Sequence, residues 1–449
     1  MRIRLPYLQT SPMQDLKFTM AMTPLWWVLG LYFMIYHFAA FLSMTKLLVG
    51  GSMRRRGIGI PLRMRWFIAF LSVYIMSILL NAFENSPQRT FASLNNYLIY
   101  LSGFFVVVVF YNSADRDDIL NILRIGRGLA IAAGVIVLIS LALWIVGYHR
   151  LSFKTPVATA LPFLDNYPYF AVILNVVLVD SDWFFSRSMP RIPVFTSVMT
   201  ASGGQVLALL PMLVTASAIL RTGRFSRLLT YFLSVAVILL SLARTPILAL
   251  VISIGIMASL SMRTRRRVLF VLLVLLIAVP AVVLLWSFFT GVVDAVLSSR
   301  LASTRTRIEL YQDAIKYTLE HNPVYGIGIK VREGFTTRAL GSHSTYIALF
   351  ITTGLLGVAS YVLFQVDILR LWWTRRARFS GEDRMIWTNI GAAFIGFSLW
   401  LLTDTIDAVP YISSLYFILI GILVSWERVV NDHRSSLEGR EAEGHARHG

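Results

Sequence analysis

The sequence contains no cysteine, which excludes disulfides and thiolate metal sites and is compatible with an oxidising compartment. Charge is scarce too: Asp, Glu, Lys and Arg make up 14% of 449 residues, where soluble domains carry about a quarter. An ordinary soluble enzyme is excluded on that ground. Acids are the scarcer sign, 23 against 41 Lys and Arg, for a formal net charge of +18. In a soluble protein that excess would point to nucleic acid. Here most arginines sit in short loops between apolar runs, as in the cytoplasmic loops of membrane proteins, so no nucleic-acid partner is expected. Three familiar signatures are also missing: a Walker loop, a dinucleotide fingerprint and a zinc-spaced His set. No internal repeat is visible. The first apolar run is too long for a cleavable signal peptide and lacks a small-residue cleavage site.

Apolar length is what the chain has in abundance. Hydrophobic residues make up 57% of it, in continuous runs of roughly 16 to 23 residues that suit membrane-crossing helices better than barrel strands. Only helices or closed barrels satisfy every backbone polar group in lipid. The expected fold is all-α, a polytopic transmembrane helical bundle of about 11–12 spans, with two long polar loops on one side. Residues 1–20 read as an interfacial segment, and the first span is expected within Met22–Val49. Further spans are expected at Trp66–Phe83, Tyr97–Tyr111, Gly128–Val146, Gln205–Leu220, Leu228–Ala243, Ile247–Met262, Val268–Phe289, Tyr346–Val366, Ile386–Leu402 and Tyr411–Trp426. Eleven spans put the N-terminus outside, whereas a twelfth helix in the first 50 residues would put both ends inside. The sequence leaves the two open.

Six regions follow from this reading. Residues 1–147 are N-terminal helices, and 148–204 form an outer loop whose short apolar piece, Phe170–Val179, is re-entrant, a β-hairpin or packed on the bundle. Residues 205–289 are helices flanking Arg244, and 290–344 form a large outer loop. Residues 345–426 are C-terminal helices, and 427–449 are a charged tail expected to be disordered. On either count the two long polar segments and the Arg244 turn share a side, opposite the arginine clusters such as GSMRRRGIGIPLRMRW.

Arg244 interrupts LLSLARTPILALVI at the outer membrane boundary. An ionisable group there is costly unless it is paired or faces water, so function is the default, against an arginine snorkelling to headgroups. Its planar fork of donors suits phosphate oxygens. In the large loop, Thr306-x-x-Glu309 reads as a capping box, Ile308, Tyr311, Ile315 and Leu319 recur at helical spacing, and Asn322-Pro323 closes the helix. Arg307 falls at its first position, where helix dipole and guanidinium together attract an anion; the plain alternative is a solvated arginine. His343 opens the next apolar run, where an imidazole is suited to accept a proton or hold a substrate hydroxyl, although a lone His is more often structural. Arg191, Arg300 and Arg338 add further outer-side cations, and Thr245, Tyr311 and Ser344 stand beside the main candidates as substrate-binding residues. Asp180-Ser-Asp182 is a weak metal-binding pattern, and no metal is assigned to it. Asp404 and Asp407 read first as salt-bridge partners and second as ligands of sugar hydroxyls.

Taken together, SLARTPILALVI, Arg307 with ELYQDAIKYTLEHNPVYGIGI, and GSHSTYIALFITTGLLG resemble the O-antigen ligase and polymerase superfamily of bacterial inner-membrane glycosyltransferases. The likeness covers roughly Leu228–Phe364, with three blocks in the family's order. MPRIPVFTSVMTASGG is similar to the family's arginine segment before span five but lacks the Asn or Glu that often follows. The resemblance implies a C-type glycosyltransferase fold without a cofactor, active on the periplasmic side of the inner membrane. It implies a glycan donor on undecaprenyl pyrophosphate and a glycan or glycolipid acceptor, with catalytic roles falling on Arg244, Arg307 and His343, and a role for Arg191. Ligase and polymerase share these blocks, and FITTGLLG is slightly closer to the polymerase form. The competing class is a transporter or flippase of lipid-linked oligosaccharide, disfavoured because the spans hold few ionisable residues.

Overall fold

The computed structural model describes residues 10–50, 58–83, 86–166, 170, 173–180, 192–196, 199–240, 244–261, 307–331, 340–341 and 343–448. The span expected at Val268–Phe289 and the residues Arg191, Arg300, Arg338, Asp182 and Thr306 lie outside them. The described chain is a bundle of α-helices. In order these are α1 (Pro12–Ala21), α2 (Thr23–Leu29), α3 (Ile35–Val49), α4 (Arg65–Asn81), α5 (Pro87–Ser113), α6 (Arg116–Ile145), α7 (Pro156–Ala160), α8 (Met199–Ile219), α9 (Arg224–Leu240), α10 (Arg244–Ser261), α11 (307–321), α12 (Thr345–Arg375), α13 (Gly381–Trp400) and α14 (Pro410–His448). Among the described residues six are long and apolar enough to cross a membrane: α4, α5, α6, α8, α12 and α14. The chain is a multi-pass membrane protein.

One hairpin departs from the all-helical plan. Strand β1 (Arg150–Lys154) pairs antiparallel with β2 (Asn175–Asp180), the register shifting between Leu151 and Ser152. Of the three forms open to Phe170–Val179, its second half takes the hairpin. The charged tail also departs from expectation, because α14 runs on unbroken from Glu427 to His448. Glu427 is tied down by Arg375 and Arg378.

The two ends of the bundle differ in charge. At one end ion pairs join neighbouring helices: Arg116 with Asp383, Arg63 and Arg65 with Asp367, and Arg375 and Arg378 with Glu427. Arg428 donates to the carbonyl of Ala114 at the same end. This is the arginine-rich end, and the candidate site lies at the other.

The N-terminal segment runs along the bundle and back. Asp15 and Lys17 of α1 pair with Lys46 and Asp118, both at the arginine-rich end. From there α1 and α2 rise together over about 27 Å. Gly30, in a left-handed conformation (φ +81°), abuts Thr155 near the other end. Chain reversal follows, and α3 returns to the arginine-rich end. Residues 10–50 therefore run from the arginine-rich end to the other end and back, and of the segment read as interfacial the described part, from residue 10, belongs largely to α1, which is packed into the bundle.

A second correction concerns the run Tyr346–Val366, expected as one straight span. A straight helix would hold Tyr346 and Gln365 about 28 Å apart. Instead the Tyr346 hydroxyl donates to Gln365 Oε1 at 2.7 Å, and the rings of Tyr346 and Tyr361 lie 6.3 Å apart. The helix folds back on itself at Gly354, whose φ of +62° and ψ of −164° suit only glycine.

Candidate active site

The fold in α12 is possible because another segment takes over its hydrogen bonds. In an unbroken helix the amides of Leu355 and Leu356 would bond the carbonyls of Ile351 and Thr352. Here those carbonyls accept from Ile327 and Gly328 instead, at 2.8 and 3.0 Å. The two amides donate to Pro323 and Val324, at 2.8 and 3.2 Å. The stretch Pro323–Gly328 thus replaces the missing turn bond for bond, as backbone at membrane depth requires. Gly326 (φ +70°) makes the close approach: a Cβ there would lie 2.5 Å from the Gly354 nitrogen. From α4, Ser77 Oγ adds a bond to the Thr352 carbonyl at 2.8 Å.

This splice places α11. Its C-terminal end is closed by Asn322, whose side chain accepts from the Tyr325 amide at 3.1 Å. Leu310 and Ala314 on its inner face pack with Ile327, Ile329, Val331, Leu340 and Ile351, a small apolar cluster separate from the main core. Each of the Leu, Ile and Val side chains contributes on the order of 1.5–3 kcal/mol. α11 is thereby clamped against the first half of α12, and the start of one helix meets the start of the other.

At that meeting point the Tyr311 hydroxyl donates to the backbone carbonyl of His343 at 2.5 Å. His343 is half-buried and holds a positive φ of +73°, a strained conformation for a residue with a side chain. The bond from Tyr311 is one of the interactions that hold it there. Ser344 is buried and caps α12, its Oγ accepting from the Ile347 amide. Burial raises the Tyr311 pKa above that of a free phenol, Arg307 opposes the rise, and Asp404 adds to it. Tyr311 therefore stays a hydrogen-bond donor across the neutral range, with Arg307 and Asp404 near enough to act on it.

The turn between α13 and α14 forms the other wall. Thr345 is its anchor: its amide bonds the carbonyls of Leu401 and Asp404, and its Oγ1 donates to the Asp404 carbonyl and accepts from the Ile406 amide. Asp407, its side chain 3% exposed, takes the ammonium of Lys330 at 2.8 Å. For Asp407 the salt-bridge reading holds; the Asp404 carboxylate accepts from the Thr405 amide at 3.0 Å and helps to raise the Tyr311 pKa.

The structure thus brings Arg307, Tyr311, His343 and Ser344 together. Arg244 starts α10, and the packing of that helix carries it to the same end. Ser253 Oγ donates to the Ala392 carbonyl at 3.0 Å, and a Cβ on Gly396 would meet Ser253 and Ala249. α10 and α13 run in opposite directions, so the half-buried Thr245, and Arg244 before it, lie level with the end of α13 and the turn that follows. The side chain of Arg244 lies outside the described residues. Ile192, next after Arg191 in sequence, donates its amide to the carbonyl of Leu240, the last residue of α9. Asp180 ends β2. Among the described residues no group of three His, Cys, Asp or Glu side chains is arranged to hold a metal. Sequence reasoning missed Lys330 and Ser77, whose partners stand 77 and 275 residues away.

With this geometry established, comparison with known proteins adds one finding. A family model described as O-antigen ligase matches residues 229–362. The matched stretch contains Arg244, Thr245, Arg307, Tyr311, His343, Ser344 and the Gly354 fold. Among curated proteins nothing matches the chain.

Proposed function

From its place in the O-antigen ligase and polymerase superfamily of membrane proteins, which act in surface polysaccharide assembly, we propose that this chain is a polyprenyl-pyrophosphate-dependent glycosyltransferase. It moves a glycan from undecaprenyl pyrophosphate to a sugar hydroxyl. The site faces the periplasm of a bacterial inner membrane, because it lies at the end opposite the arginine-rich loops. The observation that carries this reading is the meeting of Arg307 and Tyr311 with the strained His343, where α11 and the start of α12 come together.

The chemistry follows from the donor. A polyprenyl pyrophosphate is already an activated leaving group. The acceptor hydroxyl oxygen bonds the anomeric carbon from the back, while the bond from that carbon to the diphosphate oxygen breaks and its electron pair leaves with the diphosphate. Arg244 and Arg307 stabilise the charge growing there, an effect worth several kcal/mol where water is scarce. His343 orients the hydroxyl and takes its proton, for about 10²–10⁴-fold in rate. Backside attack inverts the anomeric centre. Nothing in these steps calls for a metal.

Incubating the purified protein with an undecaprenyl-pyrophosphate-linked oligosaccharide and candidate acceptors tests the reading. Release of undecaprenyl pyrophosphate together with glycan transfer is the expected result. Movement of the lipid-linked glycan across proteoliposomes without transfer would point to a flippase instead. In a deletion strain, single-repeat glycan would accumulate if the chain is a polymerase; full-length lipid-linked glycan would accumulate if it is a ligase.

A further inference from the structure

The arginine-rich end carries cations that its ion pairs leave available. Where α4 begins, Arg65 lies 3.5 Å and Arg63 3.8 Å from the Asp367 carboxylate of α12. Both separations are long for a hydrogen bond, and Asp367 Oδ2 has no hydrogen-bond partner among the described residues. The acid thus offsets charge but leaves guanidinium donors open, and the Arg65 side chain is 55% exposed. One turn beyond Asp367 on α12 stands the exposed Arg370, and a turn further Trp373, 55% exposed. The Arg376 guanidinium stacks on that ring at 3.8 Å, and its Nη1 is buried without a hydrogen-bond partner. Among the described residues no ion pair includes Arg370 or Arg376.

The neighbouring apolar residues fix the level of this patch in the bilayer. On α12, Val362, Leu363 and Val366 are exposed, and one turn beyond Val366 the outer face changes to Arg370 and Trp373. On α4 the same change falls between the exposed Ile68 and Arg65, whose guanidinium lies 5.4 Å from the Trp66 ring. The pairing of Arg65 with Asp367 sets the two changes side by side. Both helices therefore pass from an apolar to a cationic surface at one level, edged by tryptophan, as at the boundary between acyl chains and headgroups. Ile60 and Leu62, just before Arg63, are exposed apolar side chains beside these cations. Such a surface suits a lipid better than a soluble anion.

We propose that this patch binds an anionic phospholipid in the leaflet at the arginine-rich end. The lipid phosphate lies between Arg65 of α4 and Arg370 of α12, whose planar forks match phosphate oxygens. Arg63 and Arg376 add charge around it, so four arginines face the single acid Asp367 and an anion completes the balance. A zwitterionic headgroup brings its own cation and gains less. The acyl chains run along Val366 and Ile68. At their far ends the same two helices are joined by the Ser77 bond to the Thr352 carbonyl, so a lipid bridging them braces the pair that carries the Gly354 fold. This inference does not depend on the reading of the donor.

The test uses the full chain in neutral detergent at about 0.15 M salt, where exposed charges are screened beyond about 8 Å. Melting temperature is followed as dioleoylphosphatidylglycerol, dioleoylphosphatidylcholine or soluble glycerol phosphate is added, and native mass spectrometry counts retained lipid. Phosphatidylglycerol is expected to raise the melting temperature with concentration, as a ligand of the folded state does. Phosphatidylcholine and glycerol phosphate should have little effect. Arg370→Gln and Arg376→Gln break no ion pair, so they should melt like the wild type without lipid. Each should weaken phosphatidylglycerol binding about fivefold, the effect of one interfacial arginine. Arg124→Gln, which removes an exposed arginine of α6 bonded only to Asn121, should leave binding unchanged. Equal stabilisation by phosphatidylcholine would overturn the proposal in favour of ordinary bilayer solvation, and equal stabilisation by glycerol phosphate in favour of a small-anion site. The same loss in Arg124→Gln as in Arg370→Gln would reduce it to diffuse charge attraction.

Discussion

Tyr311 and His343 set the terms at the scale of single residues. The phenol holds a carbonyl whose own residue sits in a left-handed conformation, so Tyr311→Phe removes a constraint on the imidazole without changing the local volume. Transfer should fall about 3- to 10-fold, as expected for one neutral hydrogen bond, while thermal stability changes little. A burial-raised pKa keeps the Tyr311 hydroxyl protonated, so transfer should not fall on its account below about pH 10. The linkage has a matching sign: the neutral form is favoured in the fold, and the contribution is lost only as pH rises past the free phenol's range. The pair of Lys330 and Asp407 permits a cleaner test. Lys330→Met strands a buried carboxylate and should cost about 3 kcal/mol. Adding Asp407→Leu should restore most of the lost melting temperature, which thermal unfolding in detergent would measure. His343, Arg307 and Tyr311 were legible in the sequence because they fall at helix starts within recognisable blocks. Lys330 and Ser77 were not, because their partners stand 77 and 275 residues away and only the fold brings them close.

Individual elements repeat that division. Asn322-Pro323 and the glycines at 326 and 328 announced the end of α11 and the turn after it. Hydropathy gave the position of the next apolar run but not its direction. A folded-back helix has the same composition as a straight one, and only the exchange of backbone bonds with Pro323–Gly328 tells them apart. The first fifty residues were ambiguous for a related reason: α1 carries Asp15 and Lys17, which lower its hydropathy, yet both are neutralised by partners on other helices. Gly354 is the most sensitive point of this design. A Cβ there would lie 2.4 Å from the Val324 carbonyl oxygen, in a conformation that only glycine adopts freely. Gly354→Ala should cost at least about 3 kcal/mol and loosen α11 together with α12. Limited proteolysis should then cut within residues 307–331 faster than in the wild-type protein.

Across the whole molecule, charge separates the two ends, and the proposed site lies at the end opposite the arginine clusters. The chain has no cysteine, so single introduced cysteines report sidedness without background. Cysteine at Gln14 or Ser436 should be shielded from an impermeant thiol reagent in intact cells, and cysteine at Gln88 should react. Reaction at Gln14 with shielding at Gln88 would invert the topology and move the site to the cytoplasm. The central claim is that His343 and Arg307 perform group transfer from a lipid diphosphate. Its most direct measurement is glycan transfer by the purified protein in detergent with EDTA, comparing wild type, His343→Ala and Arg307→Ala proteins of equal melting temperature. The account predicts sustained transfer by the wild type and losses of 10²-fold or more in each variant. Full transfer by both variants would contradict it.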